Sequence, residues 1–426
     1  MGDPFFPNEM PDFVAEPPAD AGPASQKPTD SFMELLHLPY KTLSDTLKSS
    51  ALDLKETAPR AWYEAFYTAI LSLGFSSSSS DTSLFIKQDS SITFILVYVD
   101  DIIITGSSSS VCQSLIAQLQ LMFPVKDLGD IHYFLGIEVQ RSATWLFIHQ
   151  SKYALDLLKK TDMLGVKPCS TPVGSARLDH SGSLFHDPTF YRSTVGTLQY
   201  LTWTRPDLAF AMNQVCQYMH SPRTIHLQAV KRILRYLKGT LDAGLWFTPG
   251  SQCLTAWSDA DWAGCPVDRR SMSGYCVFLG PNLISWSAKK QCTIARSSTE
   301  AEYRPLANTV AELSWVCKIL QDLSFPLLRT HAIFCDDKSA IALAFNPVFH
   351  ARTKHVEIDY HYIHEKVLGG QVSVHHVSSA LQLADIFTKS LPSARFAELT
   401  SKLSIRVPNF SLRGRVKDII GCDVPY

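Results

Sequence analysis

The sequence predicts a mixed protein, part α/β and part α+β, on three observations. From Gln252 onward the apolar pattern reads strand, strand, strand, helix, strand, helix, helix, strand, helix. That order is a three-stranded meander joined to parallel strands by helices, giving a mixed five-stranded sheet. Nearer the N-terminus an apolar strand, Ile92–Tyr98, passes through Val99-Asp100-Asp101 into a second, Ile102–Thr105. Between these regions Tyr191–Leu201, Pro206–His220 and Gln228–Lys238 carry the repeat of amphipathic helices.

The chain has 426 residues, 46% of them hydrophobic, which suits a globular protein of roughly two or three domains. Net charge is -1, so any basic surface must be local. The ten cysteines are scattered singly from Cys112 to Cys422 with no CxxC pair. A zinc site or disulfide framework is therefore not expected, and reduced thiols in an intracellular protein are the simpler reading. The sequence shows no signal peptide. Its longest apolar run, Ile92–Ile104, is too short to span a bilayer and carries Asp100 and Asp101.

In chain order, residues 1–30 hold seven prolines among small and acidic residues and are expected to be disordered. Ser31–Ser50 gives at most a short helix. A helix over Trp62–Leu73 stops at Gly74. Serines 76–80 form a loop, Ser83–Lys87 a strand, Trp145–Gln150 another, Ser151–Thr161 a helix and Thr171–His186 a loop. In the helix Gln228–Lys238, Lys231, Arg235 and Lys238 share one face, which is either solvated or in contact with nucleic-acid phosphates. The final region should contain strands Leu254–Asp259, Gly274–Leu279 and Leu283–Ala288, then helix Ser298–Leu320 and strand His331–Cys335. Helices Lys338–Ala344 and Lys354–Leu368 and strand Val372–Val377 complete it.

Four acids in this region occupy costly positions. Asp259 lies in an apolar strand, Glu302 heads a helical stripe of Leu306, Val310 and Leu313, Asp336 ends a strand, and Asp385 opens the last helix. An unpaired buried carboxylate costs several kcal/mol or takes up a proton, and a divalent cation removes that cost. Oxygen-only ligands suit Mg²⁺ or Mn²⁺ rather than zinc. Asp261 shares a face with Asp259 but sits nearer the loop. Ser297 and Glu300 form a capping box, and Asp337 caps the next helix. Asp100 and Asp101 would repel each other without a cation between them. His355, His361 and His364, with Glu357, fit a structural helix better than a metal site, and of His375 and His376 one should face solvent.

The motifs then become specific. FILVYVDDIIITG resembles the palm hairpin of a reverse transcriptase. ALDLKETAPRAWYEAF, Val125–Asp130 and Tyr133–Val139 resemble segments of the Pol polyprotein of copia-type LTR retrotransposons. SDADWAG, RSMSGY, ISWSAKKQ, SSTEAEY, FCDDKSAIAL, RTKHVEIDYHYI and LADIFTK resemble its ribonuclease H domain. The resemblance runs from about Ser50 to the end of the chain. It implies a truncated palm over 31–163, a thumb or connection region of helices over 164–250, a ribonuclease H-like domain over 251–392 and a tail over 393–426. It makes Asp259, Glu302, Asp336 and Asp385 the catalytic metal ligands, and Asp100 and Asp101 ligands in the palm. It also implies RNA, DNA and RNA–DNA hybrids as partners, with the RNA strand of a hybrid as substrate, recognised by shape and 2′-hydroxyls; oligomeric state is left open.

Three departures temper these expectations. The palm lacks a third carboxylate on a β-like run: Asp12, Asp20, Asp30, Asp45 and Asp53 all lie in Pro-rich or polar sequence, so polymerase activity is expected to be absent or very weak. Pro305, inside the helix that carries Glu302, should cost roughly 3 kcal/mol and kink it. The family's VPTEDQLAD is reduced to VSSALQLAD, which should weaken the support of the acids. Three readings remain: a hybrid-cleaving ribonuclease H beside an incomplete polymerase, an inactive relic that binds nucleic acid, and a polymerase completed by another chain.

Overall fold

The computed structural model describes residues 41–45, 58–99, 101–325, 327, 329–346 and 357–408. The Pro-rich stretch 1–30, Asp53, Asp100 and His355 lie outside them.

The first sheet has six strands: β1 (Lys41–Asp45), β2 (Ser76–Ser77), β3 (Leu84–Gln88), β4 (Ile92–Tyr98), β5 (Asp101–Gly106) and β6 (Val125–Asp130), in the order β2-β3-β4-β5-β1-β6. Helices α1 (Ala58–Ser72) and α2 (Ser109–Met122) cover it, burying Phe66, Ile70, Leu115 and Leu119 against Phe85, Ile95, Ile102 and Ile104. The acidic hairpin is the β4–β5 turn, closed by Tyr98 opposite Asp101, with Val99 at a φ of 54°. One strand was not expected. β1 lies between β5 and β6, with Ser44 paired to Asp101 and Asp45 paired to Val125. Lys41 anchors its start through Asp130, at 2.5 Å.

A second sheet draws on distant parts of the chain: β7 (Tyr133–Phe134), β8 (Ile137–Arg141), β9 (Leu146–His149), β10 (Gly244–Phe247) and β16 (Ile405–Arg406), in the order β16-β10-β9-β8-β7. Four helices lie beside it: α3 (Ser151–Lys160), α4 (Pro188–Leu201), α5 (Ala209–Cys216) and α6 (Thr224–Gly239). The helix expected over Pro206–His220 is instead a 3₁₀ turn, Pro206–Leu208, followed by the short α5. At that turn Arg205 and Asp207 are buried and paired at 2.7 Å, and Tyr236 donates to Asp207 at 2.6 Å. The expected tail begins with a helix, α11 (Ser393–Lys402), which buries Phe396 and Leu399 before β16 pairs with β10. This sheet therefore crosses the boundaries expected near residues 163, 250 and 392.

The third sheet contains β11 (Leu254–Asp261), β12 (Met272–Leu279), β13 (Asn282–Lys290), β14 (His331–Cys335) and β15 (Val372–His376), in the order β13-β12-β11-β14-β15. The first three are antiparallel, and β14 and β15 join β11 in parallel. This is the ribonuclease H-like topology. Alternation splits β12 between two cores. Val277 and Leu279 pack with Leu306, Val310 and Leu313 of α7 (Ser298–Asp322), while Cys276 and Phe278 face the helices α3–α6. Helices α8 (Lys338–Phe345) and α9 (Glu357–Leu368) lie with α7; the short α10 (Asp385–Thr388) lies on the opposite side with α5. The far end of α7 touches the first sheet through Ser78, which donates to Asp322 at 2.5 Å, and through Trp315, which donates to the Ser80 carbonyl at 3.3 Å.

Candidate active site

The four acids of the third sheet come together at the ends of β11 and β14. Asp259 is fully buried on β11. Glu302, on the second turn of α7, reaches back to accept the backbone N–H of Ala260 at 3.1 Å. Oxygens of Glu302 and Asp336 and the thiol of Cys335 lie within 4.8 Å of one another. Asp385 opens α10 and is bridged to Asp259 by one ammonium: Lys389 Nζ lies 2.6 Å from Asp385 and 3.1 Å from Asp259. Thr388 also donates to Asp259. The approach of α10 depends on a missing side chain, because Gly274 is the partner of Asp259 across the sheet. A Cβ there would stand 2.7 Å from both Phe387 and Thr388, closer than packed atoms come.

Both expected weaknesses are compensated. Pro305 removes the hydrogen bond that residue 305 would give to the Ala301 carbonyl. The buried side chain of Gln291 donates to that carbonyl instead, at 2.9 Å, and to Ser273 at 3.0 Å. α7 runs unbroken through Pro305, and Glu302 keeps its place. In the altered VSSALQLAD segment, Ser379 donates to Asp336 at 2.8 Å, and buried Gln382 donates to the Ser258 carbonyl at 3.0 Å and toward Asp336 at 3.5 Å. The capping box is half formed: Ser297 accepts from the Glu300 N–H at 3.1 Å, but the Glu300 carboxylate turns to the Arg296 N–H and to Arg304.

The electrostatics differ between the two halves of the cluster. Burial, and then the charges of Asp259 and Asp336, push Glu302 far above the usual carboxylate range. Burial also raises Asp259, although Lys389 works against it. Asp261, half-buried beside a backbone N–H of Met272, is pushed up to about 7, chiefly by desolvation. Gly264 must stay small for Asp261 to sit there, since a Cβ would overlap its carboxylate. Burial opposes the charge on Lys389, but Asp259 and Asp385 outweigh it and hold the ammonium above its ordinary range. Among the described residues no cationic side chain pairs with Glu302 or Asp336 within 4.0 Å.

The remaining expected site residues lie elsewhere. Asp101 is half-buried at the palm hairpin, on a separate sheet, and Asp100 lies outside the described residues. Of the basic face of α6, Arg235 donates to the Lys167 carbonyl and Lys238 to the Val166 carbonyl, each at 2.8 Å. Both pin a loop whose carbonyls need donors, and Lys231 alone projects freely into solvent. Cys335 was missed although it stands beside Asp336 in sequence. Lys389 was missed although it lies four residues after Asp385, the spacing at which helical charges meet. His361 lies 4.0 Å from Glu357 on an exposed face, and both His375 and His376 are exposed rather than one.

A palm-like sheet with an acidic hairpin, followed by a ribonuclease H-like sheet with converging acids, defines the class of retroelement Pol proteins. The reverse transcriptase (RNA-dependent DNA polymerase) family matches residues 45–175. The chain is 48% identical over 367 residues to the retrovirus-related Pol polyprotein from transposon RE1 of Arabidopsis thaliana, covering 85% of this chain and 25% of that protein. It is 51% identical over 225 residues to an uncharacterized mitochondrial protein of the same plant, covering 52% of this chain and 93% of the relative. Among solved structures, the foamy viral protease-reverse transcriptase in complex with dsDNA aligns at a TM-score of 0.41 and 13% identity, over 84% of this chain and 72% of that one. The chain belongs to the Pol polyproteins of copia-type LTR retrotransposons. It spans about a quarter of the transposon polyproteins it matches.

Proposed function

We propose that the third sheet hydrolyses the RNA strand of RNA–DNA hybrids with divalent metal ions. One observation carries this: four carboxylates from four separate elements converge, and half of them pair with no cation among the described residues. Glu302, Asp336 and Asp259 would hold a hard divalent ion, Mg²⁺ or Mn²⁺, and the all-carboxylate set suits it. Glu302 supports the fit, since a buried carboxylate with a single N–H donor and two acidic neighbours is otherwise left to take a proton. Bound there, such ions would activate a water and stabilise the departing oxygen at an RNA phosphate. Asp259 and Asp336 would share the ions, and Glu302 and Asp385 would complete their shells. Gln291 holds the α7 turn that aims Glu302, and Gln382 and Ser379 hold Asp336. Labelled-hybrid cleavage that needs Mg²⁺ and stops with chelator is the expected result. Asp336→Asn should remove most of it while leaving the thermal midpoint of the metal-free protein within a few degrees; full activity in that variant would sink the assignment.

A polymerase reading keeps one observation in its favour. The strand expected to be missing beside the hairpin exists as β1, and its backbone sets Asp45 one residue beyond the Ser44–Asp101 pair, toward the hairpin tip. Primer extension on an RNA template, lost in both Asp45→Ala and Asp101→Ala, would establish that reading; extension by neither the parent nor the variants would end it.

A further inference from the structure

The acidic cluster is occupied unevenly. One cation, the Lys389 ammonium, bridges Asp259 and Asp385, and a second, Arg395, stands 3.7 Å from the other oxygen of Asp385. The Glu302–Asp336 half has no such partner among the described residues. An ammonium 2.6 and 3.1 Å from two carboxylate oxygens fills the position in which a divalent ion, at about 2.1 Å from its ligands, would use those same oxygens. Two cations cannot share that space, because like charges so close repel strongly beside a fully buried carboxylate such as Asp259. Lys389 also has somewhere to go. It projects from the residue after α10, its side chain is 39% exposed, and it borders a cleft of about 860 Å³ that also takes in Asp261, Arg177 and Tyr218. Asp259, by contrast, is fully buried on a strand paired to Gly274, and Asp385 is the first residue of a helix.

We propose that Lys389 is a built-in counter-ion for the Asp259–Asp385 half of the cluster, so that one divalent ion binds first on the Glu302–Asp336 side and a second enters only when Lys389 swings out into the cleft. The inference rests on the metal-site reading above. It makes the site a stepwise one, with a resident ammonium competing for the second position. When the second position is empty, Lys389 offsets part of the charge of two buried carboxylates, with Arg395 beside Asp385. When it fills, Lys389 is released toward the cleft, where an anionic substrate backbone would receive it.

The test is Mn²⁺ binding to the whole chain without nucleic acid, followed by electron paramagnetic resonance of the free ion. The parent should bind one ion well and a second much more weakly. Lys389→Met should tighten the second site by about tenfold or more, the size expected for coupling between two competing cations, while lowering the thermal midpoint in chelator. A folded Lys389→Met with an unchanged second site overturns the inference. A measurement on the parent alone covers the case in which the variant does not fold: acetylation of the Lys389 amine, read by mass spectrometry. Labelling should be slow without metal and at one equivalent of Mn²⁺, then rise as the second site fills. Labelling that does not change across the titration overturns the inference. Two equal Mn²⁺ sites in the parent would also overturn it while leaving the metal-site reading standing, whereas no Mn²⁺ binding in parent or variant overturns both.

Discussion

At the scale of single residues, the site is governed by where charge is left uncompensated. Glu302 gains a little acidity from the Ala260 N–H and the charge of Lys389, but burial and then the charges of Asp259 and Asp336 outweigh both and raise its pKa. A carboxyl whose folded pKa lies above its unfolded value keeps its proton longer in the native state, so the metal-free protein should lose stability as pH rises from about 4.3 toward the folded value. In chelator the thermal midpoint should therefore fall between about pH 5 and pH 8, and Glu302→Gln should flatten that fall. Equal slopes in parent and variant would place the burden on another group. The Arg205–Asp207 pair shows the opposite arrangement, a buried charge that is fully matched. Arg205→Met should destabilise by about 3–5 kcal/mol in denaturant melts, because Asp207 would remain buried without its partner. The four acids of the third sheet were legible in the sequence, since a carboxylate in an apolar strand or at the head of an apolar stripe stands out. Lys389 was not, because a lysine after a short helix looks like ordinary solvated charge until the acid from another strand is seen beside it.

At the scale of elements, the structure departs from the sequence reading where a long-range contact overrides a local rule. Pro305 is a helix breaker by its own chemistry, yet α7 is continuous because Gln291, from the segment after β13, supplies the missing donor. Gln291→Ala should cost about 1–3 kcal/mol by orphaning the Ala301 carbonyl. Pro305→Ala restores the intrahelical N–H, so Gln291→Ala should cost clearly less in that background, and a double-mutant cycle measures the difference. Additive effects would show that the glutamine acts through Ser273 and Arg304 instead. Periodicity found nearly every long element of the third sheet, because its strands and helices are amphipathic against two cores. It missed β1, whose five residues carry no alternation that separates them from loop. α2 was legible and overlooked: Cys112, Leu115, Ile116 and Leu119 repeat at helical spacing behind the Ser108 cap. β10 and β16 were illegible, since strands of four and two residues exist only through their partners.

At the scale of the whole molecule, no sheet stands alone. The core beside the helices takes Leu234 and Leu237 from α6, Cys276 and Phe278 from the third sheet, Ile386 and Phe387 from α10, and Leu399 and Ile405 from the C-terminal elements. Trp286 of β13 donates to the Thr202 carbonyl at 3.2 Å and Asn213 of α5 to the Ala288 carbonyl at 3.1 Å, so the interface is bonded as well as packed. Leu399→Ala, at a fully buried position, should cost about 2–5 kcal/mol. Hydrogen exchange should then speed up in β12 and α10 as well as in α11, because these share one core. Protection lost in α11 alone would show that the C-terminal helix is an appendage. Among the described residues no helix is long and apolar enough to cross a membrane. The domain divisions read from the sequence follow the motifs, but the second sheet stitches one motif segment, Tyr133–Val139, to strands β9, β10 and β16 that carry none.

That stitching has a consequence for how the chain is made. β9 and β10 pair across about a hundred residues of intervening chain, and β10 meets β16 after some hundred and sixty more. As the polypeptide leaves the ribosome, Leu245 must wait with an open edge until Ile405 emerges, and at ordinary translation speeds that wait lasts roughly ten seconds or longer. An unpaired apolar edge held open for so long is an invitation to wrong partners, so nascent chains stalled before residue 405 should be the ones that chaperones hold.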